Sequence, residues 1–257
     1  MEEKEFIEKN EESISCDKSS TSTQQKMEKN EANEKEIVKS DNYKVNPPSL
    51  FTRFVKRTFD ICSSGLAIII LLPFFILFTP IVAIAMKGNP FFTQERAGKN
   101  GKPFKVIKYR SMNNKKDKDG NLLPNEQRIT KFGKIMRKLS IDELPQLFNI
   151  FVGQMSVVGP RPLHVYYIPR YNDFQKQRLL VTPGLTGLAQ VSGRNAISWE
   201  EKFNKDVEYI KKMSFMFDIK IIFLTVVEIF KKDDIDGNGE MVGSETFMGT
   251  NNIDENK

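Results

Sequence analysis

Apolar and polar positions divide this chain into blocks of unlike kind. Residues 1–48 carry Glu, Lys, Ser, Asn, Thr and Gln with few apolar positions between them. Such a block cannot bury enough surface to offset the entropy of ordering, so a disordered polar extension is expected, ending at Pro47-Pro48. Over residues 49–60, Leu50, Phe51, Phe54, Val55 and Phe59 are interspersed with Arg53, Lys56 and Arg57. That is the pattern of an amphipathic helix lying in a membrane interface. An uncharged apolar run follows, residues 61–86, with Pro73 near its middle. A straight helix of that length reaches roughly 39 Å, against a hydrocarbon core of about 30 Å. Proline removes a backbone donor and crowds the preceding turn, so a kink or break is expected at Pro73. Each half then reaches only ~18–21 Å and cannot span alone. Arg53, Lys56 and Arg57 precede the run, and Lys87, Arg96, Lys99 and Lys102 follow it. Positive charge marks the cytoplasmic side. Basic residues on both flanks therefore predict a hairpin that dips into the membrane and returns, with a kinked spanning helix as the alternative.

Beyond the apolar run the period changes. Residues 91–95 and 103–109 read as two short strands joined by the polar turn Gly98-Lys99-Asn100-Gly101, a β-hairpin. Residues 113–125 form a charged loop. Helices are expected over 129–139, 142–152, 166–180 and 198–213, with a Gly/Pro-punctuated stretch at 183–195. The strongly apolar 218–230 is too short to span, so it is a core helix or an interfacial one. The fold class is α+β and mostly helical: a re-entrant membrane helix hairpin, interfacial amphipathic helices and a small β-hairpin. The expected divisions are 1–48 as the extension, 49–90 as interfacial helix and membrane hairpin, 91–232 as the catalytic domain, and 233–257 as a tail.

Charge sharpens this picture. The first 48 residues hold 12 acidic and 8 basic side chains, while the remainder holds 21 and 31, so the body carries a net +10. Phosphate-rich partners fit such a body. Its basic residues are dispersed among membrane and loop segments, which argues against nucleic acid. The two cysteines, Cys16 and Cys62, lie in unlike blocks and form neither a disulfide framework nor a Cys-based metal site. The acidic first residues lack an apolar core, so no signal peptide is expected.

Several constellations could carry chemistry. Ser140-Ile141-Asp142-Glu143-Leu144-Pro145 places adjacent carboxylates after the basic Lys131, Lys134, Arg137 and Lys138. One carboxylate can attack phosphorus to form an acyl phosphate. The other can ligate a hard divalent cation. The same spacing is also a capping box, with Ser140 as N-cap and Glu143 reaching back. Arg161, held between Pro160 and Pro162, offers a rigid guanidinium fork for phosphate, or a solvated turn. The glycines around 183–187 and 192–195 permit close backbone approach to a ligand, or simply a turn-rich connection. No Walker P-loop or dinucleotide fingerprint is present. His164, the only histidine, suits a structural role, and Trp199 a core one. Residues 234–245 match the spacing of an EF-hand loop, but without a convincing exit helix or a second loop a flexible acidic tail is the plainer reading.

Taken together and in order, these pieces resemble the bacterial sugar transferases, the monotopic phosphoglycosyl transferases. The resemblance runs from about Phe54 to the tail. It rests on Lys56-Arg57-Thr58-Phe59-Asp60, the Pro-broken apolar run, Phe92-Thr93-Gln94-Glu95-Arg96 and Lys108-Tyr109-Arg110-Ser111-Met112. Asp142-Glu143-Leu144-Pro145-Gln146-Leu147-Phe148-Asn149, Val158-Gly159-Pro160-Arg161-Pro162 and Pro183-Gly184-Leu185-Thr186-Gly187 complete it. Gly193-Arg194-Asn195-Ala196-Ile197-Ser198-Trp199 and Thr246-Phe247-Met248-Gly249 look most like the subgroup that makes undecaprenyl-diphospho-N,N′-diacetylbacillosamine.

The resemblance implies transfer of a sugar-1-phosphate from a UDP-sugar to undecaprenyl phosphate, with release of UMP, at the cytoplasmic face of the inner membrane. It implies Asp142 as nucleophile, Glu143 as Mg²⁺ ligand and Arg161 as a phosphate contact. Lys108 and Arg194, with Asn195 beside it, are expected at the diphosphate or uridine. Membrane phospholipids and glycosyltransferases of the same pathway are the further expected partners. A UDP-hexose or UDP-N-acetylhexosamine donor is the alternative, and a non-catalytic basic membrane module is the alternative of another class. Two positions depart from the family pattern: Gln154 stands where an Asp is usual, and Leu188 where a Trp is common.

Overall fold

The computed structural model describes residues 44–193, 197–230 and 247–249. Helix α1, Leu50–Met86, is a single element 37 residues long. Ser49 opens it, its hydroxyl accepting from the Thr52 amide at 3.1 Å. The expected interfacial helix and apolar run are therefore one helix. The break expected at Pro73 is absent: Pro73 and Pro80 both lie inside the helix. A proline removes one hydrogen bond, and lateral packing can hold the turns on either side of that gap.

That packing is visible along most of α1. Near its start, the Arg57 guanidinium donates to the Ile150 and Phe151 carbonyls, both at 2.7 Å. The Asp60 carboxylate accepts from the Ser156 hydroxyl at 3.0 Å and the Val157 amide at 2.9 Å. Further on, Phe75 meets Phe148 with ring centroids 5.6 Å apart. Thr79 shares a hydrogen bond with the Tyr109 hydroxyl at 2.9 Å, and Val82 and Met86 enter a core cluster with Tyr109 and Met136. The other side of the helix stays bare: Leu66, Ile69, Ile70, Leu72, Ile76, Leu77, Ile81 and Ile84 are all exposed. An apolar face of this size suits lipid rather than water.

The body begins with the expected hairpin, β1 (Phe91–Ala97) antiparallel to β2 (Pro103–Tyr109), from Phe91 opposite Tyr109 to Ala97 opposite Pro103. Helix α2, Lys131–Lys138, follows and is capped by Thr130. A tight turn at Ile141–Glu143 leads into α3, Gln146–Val152, which ends on Gly153 at φ 90°. One piece of architecture was not expected. Strand β3 (Ser156–Val158) pairs in parallel with β4 (Gly184–Thr186). A pair of three-residue strands is too short for the alternation of apolar and polar positions to register.

The helix expected over 166–180 is instead three short pieces: Val165–Arg170, Asp173–Lys176 and Gln177–Leu180. Pro169 lies inside the first, and Asn172 forms a capping box that opens the second. Helices α4 (Trp199–Lys212) and α5 (Phe215–Phe230) close the fold. Helix α5 answers to both roles expected for 218–230: Ile221 is fully buried, while Met216 and Phe223 are exposed. Buried Asp218 joins α1, α4 and α5, accepting from the Lys56 ammonium at 2.5 Å and the Tyr209 hydroxyl at 2.7 Å. Trp199 packs with Tyr167, Phe203 and Phe247 in an aromatic core, which places the tail residue Phe247 against the body. Residues 44–48, the end of the expected extension, are described, and the Val45 amide donates to the Gln177 side chain at 2.6 Å. The EF-hand-like stretch at 234–245 lies outside the described residues.

Candidate active site

Two elements converge on the carboxylate pair. Strand β2 supplies Lys108. The turn between α2 and α3 supplies Asp142 and Glu143. Asn149 on α3 fixes their spacing, because its side chain receives the Ile107 amide at 3.0 Å and donates to the Lys105 carbonyl at 2.8 Å. The amide of Asn149 also donates to Gln154 Oε1 at 2.6 Å, so the departure at Gln154 has a structural role here. The departure at Leu188 packs beside the cluster of Val158, Val181, Tyr209 and Ile210, as a core side chain.

The local backbone decides between the two readings of the Ser140 motif. Ser140 sits at φ 56°, in the left-handed region, and makes no side-chain capping hydrogen bond. The capping-box reading fails, since an N-cap requires extended backbone angles. Glu143 instead turns its side chain to two cations. Its Oε1 accepts from the Lys108 ammonium at 2.6 Å and from the Arg161 guanidinium at 3.3 Å. Burial alone raises a carboxyl pKa, but Arg161 and Lys108 overcome it and hold Glu143 down to about 2. The neighbouring Asp142 is buried, at 8% exposure. Burial pushes its carboxyl upward; Lys108 and Arg137 oppose that push, and Glu143 adds to it. Asp142 is thus a poorly hydrated carboxylate beside cations, a state that favours attack on an electrophile screened by those cations.

A narrow cleft runs past Glu143, lined by Arg96, Lys108, Gln146, Arg161 and the β4 backbone at Gly184, with about 20 Å³ of open volume. Arg161 reaches it from a turn that is closely braced. The Gly159 amide donates to the Thr186 carbonyl at 2.8 Å, and the Gly184 amide to the Pro160 carbonyl at 2.9 Å. The contact is so close that a β-carbon on Gly184 would lie 2.1 Å from the Gly159 nitrogen. Beneath it, buried Arg178 donates to the Arg161 carbonyl at 2.7 Å and pairs with Asp206 at 2.8 Å.

The structure therefore brings Lys108, Glu143 and Arg161 together, with Asp142 directly alongside. Arg194 and Asn195 lie outside the described residues. Pro73 sits in α1 with the membrane-facing residues rather than with these charges. Arg96, a flanking charge that also ends the Phe92–Arg96 motif, was not among the expected site residues. Burial and the nearby Arg161 lower its pKa to about 10, and it donates to Gln94 at 2.6 Å. Sequence reasoning also missed buried Gln146, whose side-chain nitrogen has no hydrogen-bond partner among the described residues, and the Arg178–Asp206 pair. Position within the Asp142–Asn149 motif could have pointed to Gln146; nothing local marks Arg178 or Asp206.

Among the described residues no group of three or more His, Cys, Asp or Glu could hold a metal alone. The carboxylates present, Glu143 with Asp142 beside it, are hard oxygen donors of the kind magnesium takes one or two at a time, its shell completed by water and substrate phosphates.

A family described as bacterial sugar transferase matches residues 51–232. The uncharacterized sugar transferase EpsL of Bacillus subtilis (strain 168) is 46% identical over 200 residues, covering 77% of this chain and 98% of that protein. The UDP-glucose:undecaprenyl-phosphate glucose-1-phosphate transferase of Klebsiella pneumoniae is 43% identical over 185 residues, 68% of this chain and 40% of that one. The undecaprenyl-phosphate galactose phosphotransferase of Salmonella typhimurium is 38% identical over 201 residues, 71% and 42%. The chain thus spans about two fifths of the length of these last two relatives. The matched segment contains α1, both strand pairs and the Asp142–Glu143 turn, and the chain is an enzyme of the bacterial sugar transferase family.

Proposed function

We propose that the protein transfers a sugar-1-phosphate from a UDP-sugar to undecaprenyl phosphate and releases UMP. The observation that carries this reading is the meeting of Lys108 and Arg161 on Glu143, beside buried Asp142, in a cleft that borders Arg96. Three cations there suit a diphosphate. The names of the relatives from Klebsiella and Salmonella support the acceptor.

The reaction proceeds in two displacements. An Asp142 carboxylate oxygen attacks the β-phosphorus of the donor; the new O–P bond forms as the P–O bond to UMP breaks. An oxygen of undecaprenyl phosphate then attacks the same phosphorus, and the bond to Asp142 breaks. A carboxylate nucleophile needs no general base to create it, and Lys108 and Arg137 favour its charged form against burial. A UDP-sugar is too large for an opening of about 20 Å³, so its entry draws Lys108 and Arg161 from Glu143 to the phosphates. Glu143, freed in this exchange, would hold Mg²⁺ together with phosphate oxygens. When bound, the ion neutralises charge on the phosphates. Lys108, Arg161 and Arg96 stabilise the negative charge that builds on departing UMP.

For the donor, the resemblance of residues 193–199 and 246–249 to the diacetylbacillosamine subgroup favours UDP-N,N′-diacetylbacillosamine, and the relatives named for glucose and galactose favour a UDP-hexose. The body attaches at one face of the membrane, which we take as the cytoplasmic one from the basic flanks of α1. The test is UMP release by purified protein with Mg²⁺, undecaprenyl phosphate and each UDP-sugar in turn. Asp142→Asn should lower turnover by about 10³-fold or more, and wild type should trap radiolabelled sugar phosphate on the protein. Near-normal turnover by Asp142→Asn would refute the covalent route.

A further inference from the structure

A second cavity, of about 200 Å³, opens on the N-terminal part of α1, with Pro48, Arg53, Lys56, Arg57, Asp60 and Lys99 on its wall. It shares no lining residue with the cleft at Glu143. Its volume is far above the ~10–15 Å³ that one water requires.

Most of its charges are already engaged. Lys56 pairs with Asp218. Arg57 is tied to the carbonyls at the end of α3. Asp60 serves Ser156 and Val157. Arg53 and Lys99 remain. Among the described residues neither has a carboxylate within ion-pair distance, and the Arg53 Nε is buried without a hydrogen-bond partner. Burial, and then the charge on Arg53, depress the Lys99 ammonium below its ordinary pKa. Two cations and an unmet buried donor around one cavity are unfavourable as they stand, and an anion removes both defects.

The surroundings indicate where the anion comes from. Leu50, Phe51 and Phe54, on the turns of α1 that carry Arg53, are 81%, 76% and 71% exposed. Large apolar side chains so placed belong in the acyl–headgroup boundary. A cavity opening there meets headgroup phosphates before it meets solutes. A headgroup amine would add a third cation, so the charge set selects a headgroup without one. We propose that this cavity binds the phosphate of an anionic membrane phospholipid, with Arg53 and Lys99 as its charge partners.

The test uses the full chain in phosphatidylcholine nanodiscs containing a small fraction of phosphatidylglycerol. Lipid retained after release into mild detergent is counted by native mass spectrometry. Wild type should retain phosphatidylglycerol in preference to phosphatidylcholine. The double variant Arg53→Gln/Lys99→Gln should retain roughly 30-fold less, while Lys116→Gln, which removes a charge from an exposed loop, should match wild type. UMP release in detergent reports that each variant is folded. If the double variant does not fold, Lys99→Gln alone carries the test, with a loss of about fivefold expected. Retention unchanged in the cavity variants, or lowered equally by Lys116→Gln, overturns the proposal. Displacement by inorganic phosphate at a concentration equal to the lipid overturns the lipid source. Because the readout is bound lipid, these outcomes are separate from the fate of the Asp142 mechanism.

Discussion

Glu143 shows what a single residue does when two cations share one of its oxygens. Lys108 at 2.6 Å and Arg161 at 3.3 Å both meet Oε1. The carboxyl is held at about 2, below its ordinary 4.5. A depressed acid stabilises the fold above its unfolded pKa and loses that contribution as pH falls through the folded one. The stability gap between wild type and Glu143→Gln should therefore be full at pH 6 and shrink from about pH 4.5 towards 2. Melting in detergent across that range checks the sign; a gap that widens on acidification would contradict it. Asp142 has the opposite tendency, since burial raises its carboxyl. Burial pushes both adjacent acids upward; they differ because Glu143 accepts hydrogen bonds directly from Lys108 and Arg161, which outweigh that push. That difference was not legible in the sequence, where the pair could equally have been a helix cap. The backbone angle of Ser140 removes the cap, and the ion pairs account for Glu143.

At the scale of elements, the β3–β4 contact decides where Arg161 sits. The two strands are short, but their carbonyl and amide exchange extends beyond them, through Gly159 and Pro160 to Gly184 and Thr186. Glycine is required at position 184 because the facing backbone leaves no room for a side chain. Gly184→Ala should cost ~1–3 kcal/mol or more, an apparent melting shift of roughly 4 °C or more for a chain of this size. It should also slow UMP release by displacing Arg161. Gly120→Ala is the comparison: nothing lies within 4 Å of its added carbon, so only backbone strain of about 1 kcal/mol remains. Equal effects of the two would remove the argument from close approach. The sequence showed turn-rich stretches at 156–162 and 183–187, but their pairing joins segments far apart in the chain. The hairpin β1–β2 was legible because its partners adjoin and its turn carries the expected Gly and Asn. The helix expected at 166–180 failed because Pro169 and the Asn172 cap outweighed the apolar spacing.

At the scale of the whole molecule, α1 is bound to one body from Lys56 to Met86. Lys56, Arg57 and Asp60 meet α3, β3 and α5, while Thr79, Val82 and Met86 meet β2 and α2. One compact body cannot lie on both sides of a bilayer, so these contacts support a helix whose ends share a side. They support our proposal that its Pro-containing apolar middle, exposed on one face, dips into lipid rather than crossing it. Single cysteines at Val45 and at Gly88, in a Cys16→Ser/Cys62→Ser background, should react alike with an impermeant maleimide in sealed vesicles of either orientation. Opposite reactivity of the two positions would mean a crossing.

The sequence by itself determined the apolar helix, its basic flanks, the hairpin, the order of motifs and the chemical types in the cleft. These features are local or follow from side-chain chemistry. Only the tertiary structure decided that α1 continues through Pro73, that Glu143 is an ion-pair centre rather than a cap, and that buried Arg178 and Asp206 brace Arg161. Each of those outcomes depends on which distant residues come into contact, and contact sets both the packing that holds a proline turn and the field that holds a charge.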